Sequence, residues 1–120
     1  MTKPISLLLL PLLIGCSEPK KIAIATIVAK NNSSVSGSAI FNEKSGKVKI
    51  DVSITGVGAG PVAVHIHETG DCSSDDGKST GGHWNPTVED HGKWGEPPFH
   101  SGDIGNITID QYGAGTLSLV

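Results

Sequence analysis

An all-β domain with long loops follows from three features of this 120-residue chain. Apolar residues recur at period two in several short runs, the pattern of strands with one dry face and one wet face. Glycine is abundant, at 16 residues, and aromatic residues make up only 4%, a balance poorly suited to a helical bundle. Hydrophobic residues still reach 37%, enough for one small core. A formal charge of -3 excludes the basic footprint of a nucleic-acid-binding protein, and all nine cationic side chains are lysines.

The first residues form a separate unit. Lys3 supplies positive charge, and Ile5 to Ile14 make an apolar run too short to span a bilayer, so residues 1–15 read as an export signal. The run ends in Leu13-Ile14-Gly15-Cys16, which resembles the lipobox of bacterial lipoproteins, where cleavage precedes the cysteine and its thiol is acylated. Cys16 is then a lipid anchor. A plain secretory signal with an incidental cysteine is the alternative, and both place the domain outside the cytoplasm. Residues 16–21 are short and polar with a proline, suited to a tether, and the folded domain is expected over 22–120.

Strands follow in order. Ile22, Ile24 and Thr26 alternate with small residues, and two further runs, Val35 to Phe41 and Val48 to Ile54, flank a Lys44-Ser45-Gly46 turn. In the last of these Val48, Ile50, Val52 and Ile54 face one way while Lys49, Asp51, Ser53 and Thr55 face the other. A loop with glycine at alternate positions leads to a fourth strand, Val62 to Glu68. From Thr69 to Gly102 neither apolar period survives, a span far longer than ordinary connections, which needs a reason to be ordered. Ile104, Ile107 and Ile109, then Leu117 and Leu119, predict two more strands around a turn from Asp110 to Gly115.

All five histidines lie between His65 and His100, in the last early strand and the long loop. His65 and His67 stand two apart in a predicted strand, so both rings project from one face and one metal ion can take both. Two solvent-facing histidines are the alternative for that pair taken alone. His83, His91, His100 and Asp103 add three imidazoles and a carboxylate, a closed tetrahedral set suited to zinc, and metal binding explains why the loop is ordered. Copper suits an imidazole-rich site, so two different metals are expected. Trp84 and Trp94 read as packing anchors for the loop, and Asp71, Asp75 and Asp76 as a solvated acidic turn.

Four segments in order carry a family likeness. Gly60-Pro61-Val62-Ala63-Val64-His65-Ile66-His67-Glu68, Gly81-Gly82-His83-Trp84-Asn85-Pro86, His91-Gly92 and His100-Ser101-Gly102-Asp103-Ile104-Gly105-Asn106 together resemble the bacterial type of copper/zinc superoxide dismutase. The resemblance implies a Greek-key β-barrel or immunoglobulin-like sandwich. By it His65 and His67 are copper ligands, His83 bridges copper and zinc, and His91, His100 and Asp103 complete the zinc site, with His65, His67 and His83 as the catalytic set. The implied reaction is dismutation of superoxide to oxygen and hydrogen peroxide. Superoxide, a membrane reached only through the lipid anchor, and a second copy of the chain in a homodimer are the expected partners. The expected location is the periplasm or cell envelope.

Other parts of the family pattern fall past the position that matches Val120. They are the last strands, a fourth copper histidine, an arginine beside the copper, a charged guiding loop, and the cysteine that would pair with Cys72. The chain is therefore expected to be cut short, and Cys72 to be mispaired, free, or the mark of a continuing sequence. Two other functions stay open: an exported copper- and zinc-binding lipoprotein without turnover, and an adhesive β-sandwich with incidental histidines.

Overall fold

The structure, a computed structural model, describes residues 20–120. The expected export signal, Cys16 and most of the expected tether lie outside the described residues. Six strands run β1 Lys21–Ile27, β2 Ser36–Lys44, β3 Lys47–Thr55, β4 Gly60–His65, β5 Asp103–Ile109 and β6 Ala114–Leu119. Among the described residues the only helical element is a 3-10 turn, Lys78–Thr80.

Strands β1, β2, β3 and β6 form one antiparallel sheet in that order, and β4 pairs with β5 in a second. The two-residue turn between β2 and β3 has Ser45 at φ 52° and Gly46 at φ 74°, the left-handed pair whose twist suits a tight hairpin. Between β5 and β6 the Asp110 carboxylate accepts from the backbone N–H groups of Tyr112 (2.8 Å) and Ala114 (3.0 Å), which closes the turn that carries the chain from one sheet to the other. From β4 the long loop leads to β5, and the Asp110 turn leads on to β6, which returns the chain to β3, the Greek-key connection of a β-sandwich.

The period-two expectation for β3 is met in its inner residues. Ile50, Val52 and Ile54 are buried and pack with Ile104, Ile107 and Ile109 from β5, with Ala39 of β2 beneath them. Ile107 is fully buried, and its side chain alone contributes about 1.5–3 kcal/mol of transfer free energy. Val48, at the solvent end of β3, is exposed. On the opposite face Asp51 accepts from Lys49 Nζ and from the Ser118 hydroxyl, the wet side expected of such a strand.

Strand β1 has a different phase from its apolar pattern. Its register sets Ala23 opposite Phe41 and Ala25 opposite Ala39, so the small residues share the core side, while Ile24 stands opposite Ile40 on the outer face and is 68% exposed. Ala23 and Ala25 stay exposed at the rim even so, Ile22 and Ile24 are left to solvent, and Ile27 at the end of the strand packs against the core.

Strand β4 also ends earlier than predicted, at His65 rather than Glu68. A register shift falls between Val64 and His65: Val64 pairs with Gly105 but His65 with Asp103, so Ile104 is the extra residue of a bulge. Beyond it the Ile66 N–H donates to the Gly102 carbonyl (2.9 Å), and the chain leaves the ladder. The bulge sets Asp103 directly across from His65.

Candidate metal centre

Three backbone segments are laced together beyond β4. The Ile66 carbonyl accepts from Trp84 N–H (2.8 Å), the Trp84 carbonyl from Gly102 N–H (2.8 Å), and the Gly102 carbonyl from Ile66 N–H (2.9 Å), a closed ring of three bonds. Glu68 N–H continues the lattice to the Gly82 carbonyl, and Glu68 Oε1 accepts from Gly82 N–H (3.1 Å). A Cβ at residue 102 would stand 2.3 Å from the Ile66 oxygen, so only glycine fits where the segments meet. The long loop is held by this lattice, with His83 and His100 half-buried and His67 and His91 exposed. Trp94 does pack, with its ring 5.4 Å from that of Phe99, but Trp84 is 47% exposed and serves the lattice through its backbone. The expected packing role of the Trp84 ring is corrected accordingly.

Asp103, only 2% exposed, organises the histidines. Its Oδ2 accepts two backbone N–H bonds, from Gly92 (3.0 Å) and His100 (2.9 Å), which turns Oδ1 toward the rings. His83 Nδ1 lies 2.8 Å from Oδ1, His91 Nδ1 3.0 Å and His100 Nδ1 3.5 Å. Burial alone would raise the Asp103 carboxyl, but the two N–H groups, the His83 bond and the nearby His100 hold it well below the usual carboxylate range. The aspartate is therefore anionic.

His65 joins from the strand end. Its Nε2 lies 3.9 Å from Asp103 Oδ1, and its ring stacks on His83 with centroids 3.9 Å apart and planes 17° apart. Burial, and next the proximity of His83, push its pKa below that of a free imidazole. Donor atoms of His65, His83, His91 and Asp103 all fall within 4.8 Å of one another.

The pairing expected for His67 is realised differently. It stands past the end of β4, bridged to His83, and its ring meets that of His83 edge-on at 5.2 Å. His65 and His67 thus reach His83 from two elements, not from one strand face. Sequence reasoning gave no warning of the two groups that hold His67: the Gly81 carbonyl and Thr80 Oγ1, each 2.9 Å from Nδ1. Only the closeness of residues 80 and 81 to His83 in the chain could have suggested them.

The donor set fits a metal. Ligand atoms about 2.0–2.2 Å from a tetrahedral zinc stand roughly 3.3–3.6 Å apart, the spacing of His100 Nδ1 from Oδ1, while His83 and His91 stand at hydrogen-bond distance and need only a small outward shift to match it. His100 Nδ1 is buried and has no hydrogen-bond partner, an omission that costs about 1–3 kcal/mol unless something else meets its lone pair. A cation beside Asp103 Oδ1 would do so.

Cys72 has an exposed thiol and forms no disulfide among the described residues. Asp71 and Asp76 accept from the backbone N–H groups of Ser73 and Lys78, ordinary turn bonds, and Asp75 lies 3.7 Å from Lys30. The acidic turn is solvated, as expected.

Residues 35–120 match the model of the copper/zinc superoxide dismutase family. The chain is 31% identical over 88 residues to "Extracellular superoxide dismutase [Cu-Zn] 2" of Dictyostelium discoideum, a match covering 73% of this chain and 21% of that protein. The chain thus spans about a fifth of the length of this curated relative. A solved structure, described as that of the clock protein EA4, superposes with a TM-score of 0.72 at 34% identity, over 82% of this chain and 60% of that one. With the family match over most of its length and a histidine–aspartate cluster at the end of β4, the chain belongs to the copper/zinc superoxide dismutase family.

Proposed function

We propose that the protein dismutes superoxide to oxygen and hydrogen peroxide, with copper held by His65, His67 and His83 and zinc by His83, His91, His100 and Asp103. The observation that carries this reading is His83: its Nδ1 reaches Asp103 at 2.8 Å while its ring face lies on His65 at 3.9 Å, so one imidazole belongs to both halves of the cluster. When bound, copper supplies a one-electron couple that one superoxide reduces and a second reoxidises, while zinc adds charge without redox chemistry.

The residues do the rest. Asp103 stays anionic and fixes His83 through Nδ1, which leaves Nε2 on the far edge of the ring to release and take up a proton as the reaction turns over. His65, held neutral by its surroundings, presents a lone pair. A cleft of about 600 Å³, lined by His65, His91, Trp94, Asn106 and Leu117 among others, opens on the His65 and His91 side of the cluster. The test is superoxide decay followed by pulse radiolysis, on the full-length protein loaded with both metals. Catalysis that survives a chelator for free copper, and is lost in His67→Ala, is expected; a rate no greater than that of aqueous copper would refute the reading.

A second reading, an exported metal-binding protein without turnover, draws on the formal charge of -3, which does not attract an anion. It predicts full metal loading with no superoxide decay. Export itself is supported by the leader pattern of residues 1–15 and by the relative described as extracellular. We infer a lipid anchor on Cys16 in a bacterial envelope; mass spectrometry of the mature N-terminus should find a diacylglyceryl cysteine, and an unmodified thiol would refute the anchor. A homodimer predicts twice the chain mass in sedimentation, and a monomer contradicts it.

A further inference from the structure

We propose that Thr80 is a positioning residue for His67, an assignment that rests on the copper reading above. The Thr80 hydroxyl has one proton, and it is committed: Oγ1 donates to the Gly77 carbonyl at 2.6 Å. Toward His67 Nδ1, 2.9 Å away, the same oxygen can only accept. The Gly81 carbonyl, also 2.9 Å from Nδ1, is likewise an acceptor. Two acceptors converging on Nδ1 place the proton of the neutral ring there and leave Nε2 as the atom with the lone pair.

Thr80 contributes something that the carbonyl does not. Its bond to Gly77 belongs to the 3-10 turn Lys78–Thr80, so the relay from the Gly77 carbonyl through Oγ1 to Nδ1 ties the ring to a second backbone element. A hydroxyl that donates is polarised into a better acceptor, which strengthens the His67 bond. The backbone of residue 80 is separately anchored, since its carbonyl accepts from Thr69 N–H at 3.0 Å. Loss of the hydroxyl therefore leaves the segment in place and the ring held by the Gly81 carbonyl alone.

The test compares Thr80→Val, which removes the acceptor while keeping the shape, with Thr80→Ser, which keeps it. Long-range 1H–15N spectra of the metal-free protein should show His67 protonated on Nδ1 in wild type and in Thr80→Ser, with a rising fraction protonated on Nε2 in Thr80→Val. Chelator competition should show copper bound about tenfold more weakly by Thr80→Val and as tightly as wild type by Thr80→Ser, with zinc affinity unchanged in both. Identical His67 spectra in Thr80→Val and wild type would overturn the proposal, as would Thr80→Ser behaving like Thr80→Val. Should wild type bind no copper at all, the metal reading fails, and the spectra of the metal-free proteins still decide the role of Thr80.

Discussion

The imidazole of His65 lies flat on that of His83, centroids 3.9 Å apart and planes 17° apart, while the edge of His83 is bonded to Asp103. His83 thus stacks on the strand-end histidine and also bonds the buried carboxylate, whereas His91 bonds the carboxylate but meets His65 only at a tilt, 5.7 Å between centroids. If His83 joins the two metals, its removal uncouples them. In His83→Ala loaded with copper and either zinc or cobalt, the electron paramagnetic resonance of copper should no longer depend on which metal fills the second site. Dependence that persists in the variant would show that the sites communicate by another route.

Asp103→Asn keeps the shape of the side chain and removes its charge. The Oδ2 position, which accepts from Gly92 and His100, is kept by the amide oxygen, so the loop should still close. The amide NH2 then faces the three Nδ1 atoms and cannot ligate. Zinc affinity should fall by two orders of magnitude or more, read by chelator competition, with circular dichroism of the strands unchanged. Wild-type affinity in this variant would remove Asp103 from the site.

Acid should destabilise the metal-free domain in two stages. Burial and the neighbouring His83 lower the His65 pKa, so an unfolded chain binds its proton first, and stability begins to fall as pH drops below ~6.5. Asp103 is depressed below the unfolded carboxylate value, so its contribution is complete above ~3.9 and is lost as pH falls from there toward its folded value. Denaturant midpoints measured from pH 8 to pH 3 should show both declines in wild type, and the lower one should be smaller in Asp103→Asn, where only the exposed, lysine-paired or turn-bonded carboxylates remain to contribute. A wild-type profile flat across that range would contradict both assignments.

Two substitutions separate the core from the loop lattice. Ile107→Ala empties a fully buried site between the sheets and should cost about 2–5 kcal/mol in urea unfolding. Gly102→Ala drives a methyl to within 2.3 Å of the Ile66 oxygen, and should cost roughly 1–3 kcal/mol while also weakening zinc binding, because the lattice carries His83 and Asp103. Ile107→Ala should leave metal affinity nearly unchanged. Equal loss of affinity in both variants would mean that the loop has no order of its own.

Much of this molecule can be read along the chain. The alternation of Ile50, Val52 and Ile54 marks β3 and its buried face, since a strand with one wet side has a period that nothing else imitates. Period alone does not give phase: in β1 Ile22 and Ile24 point out while Ile27 packs on the core, because pairing with β2, a non-local fact, decides which face is covered. The clustering of histidines between residues 65 and 100 announces the site, but the bulge at Val64 and His65 does not show in residue types, and it is the bulge that sets His65 across from Asp103. Thr80 and Gly102 were silent for the same reason. Their roles arise where segments distant in sequence cross.

In the proposed function the loop histidines and Asp103 close around two cations, and metal content measures that most directly. Elemental analysis of protein incubated with copper and zinc and then dialysed should return one of each per chain, with the zinc absent from Asp103→Asn. Less than one metal of any kind per chain, in protein whose strands are intact by circular dichroism, would contradict it.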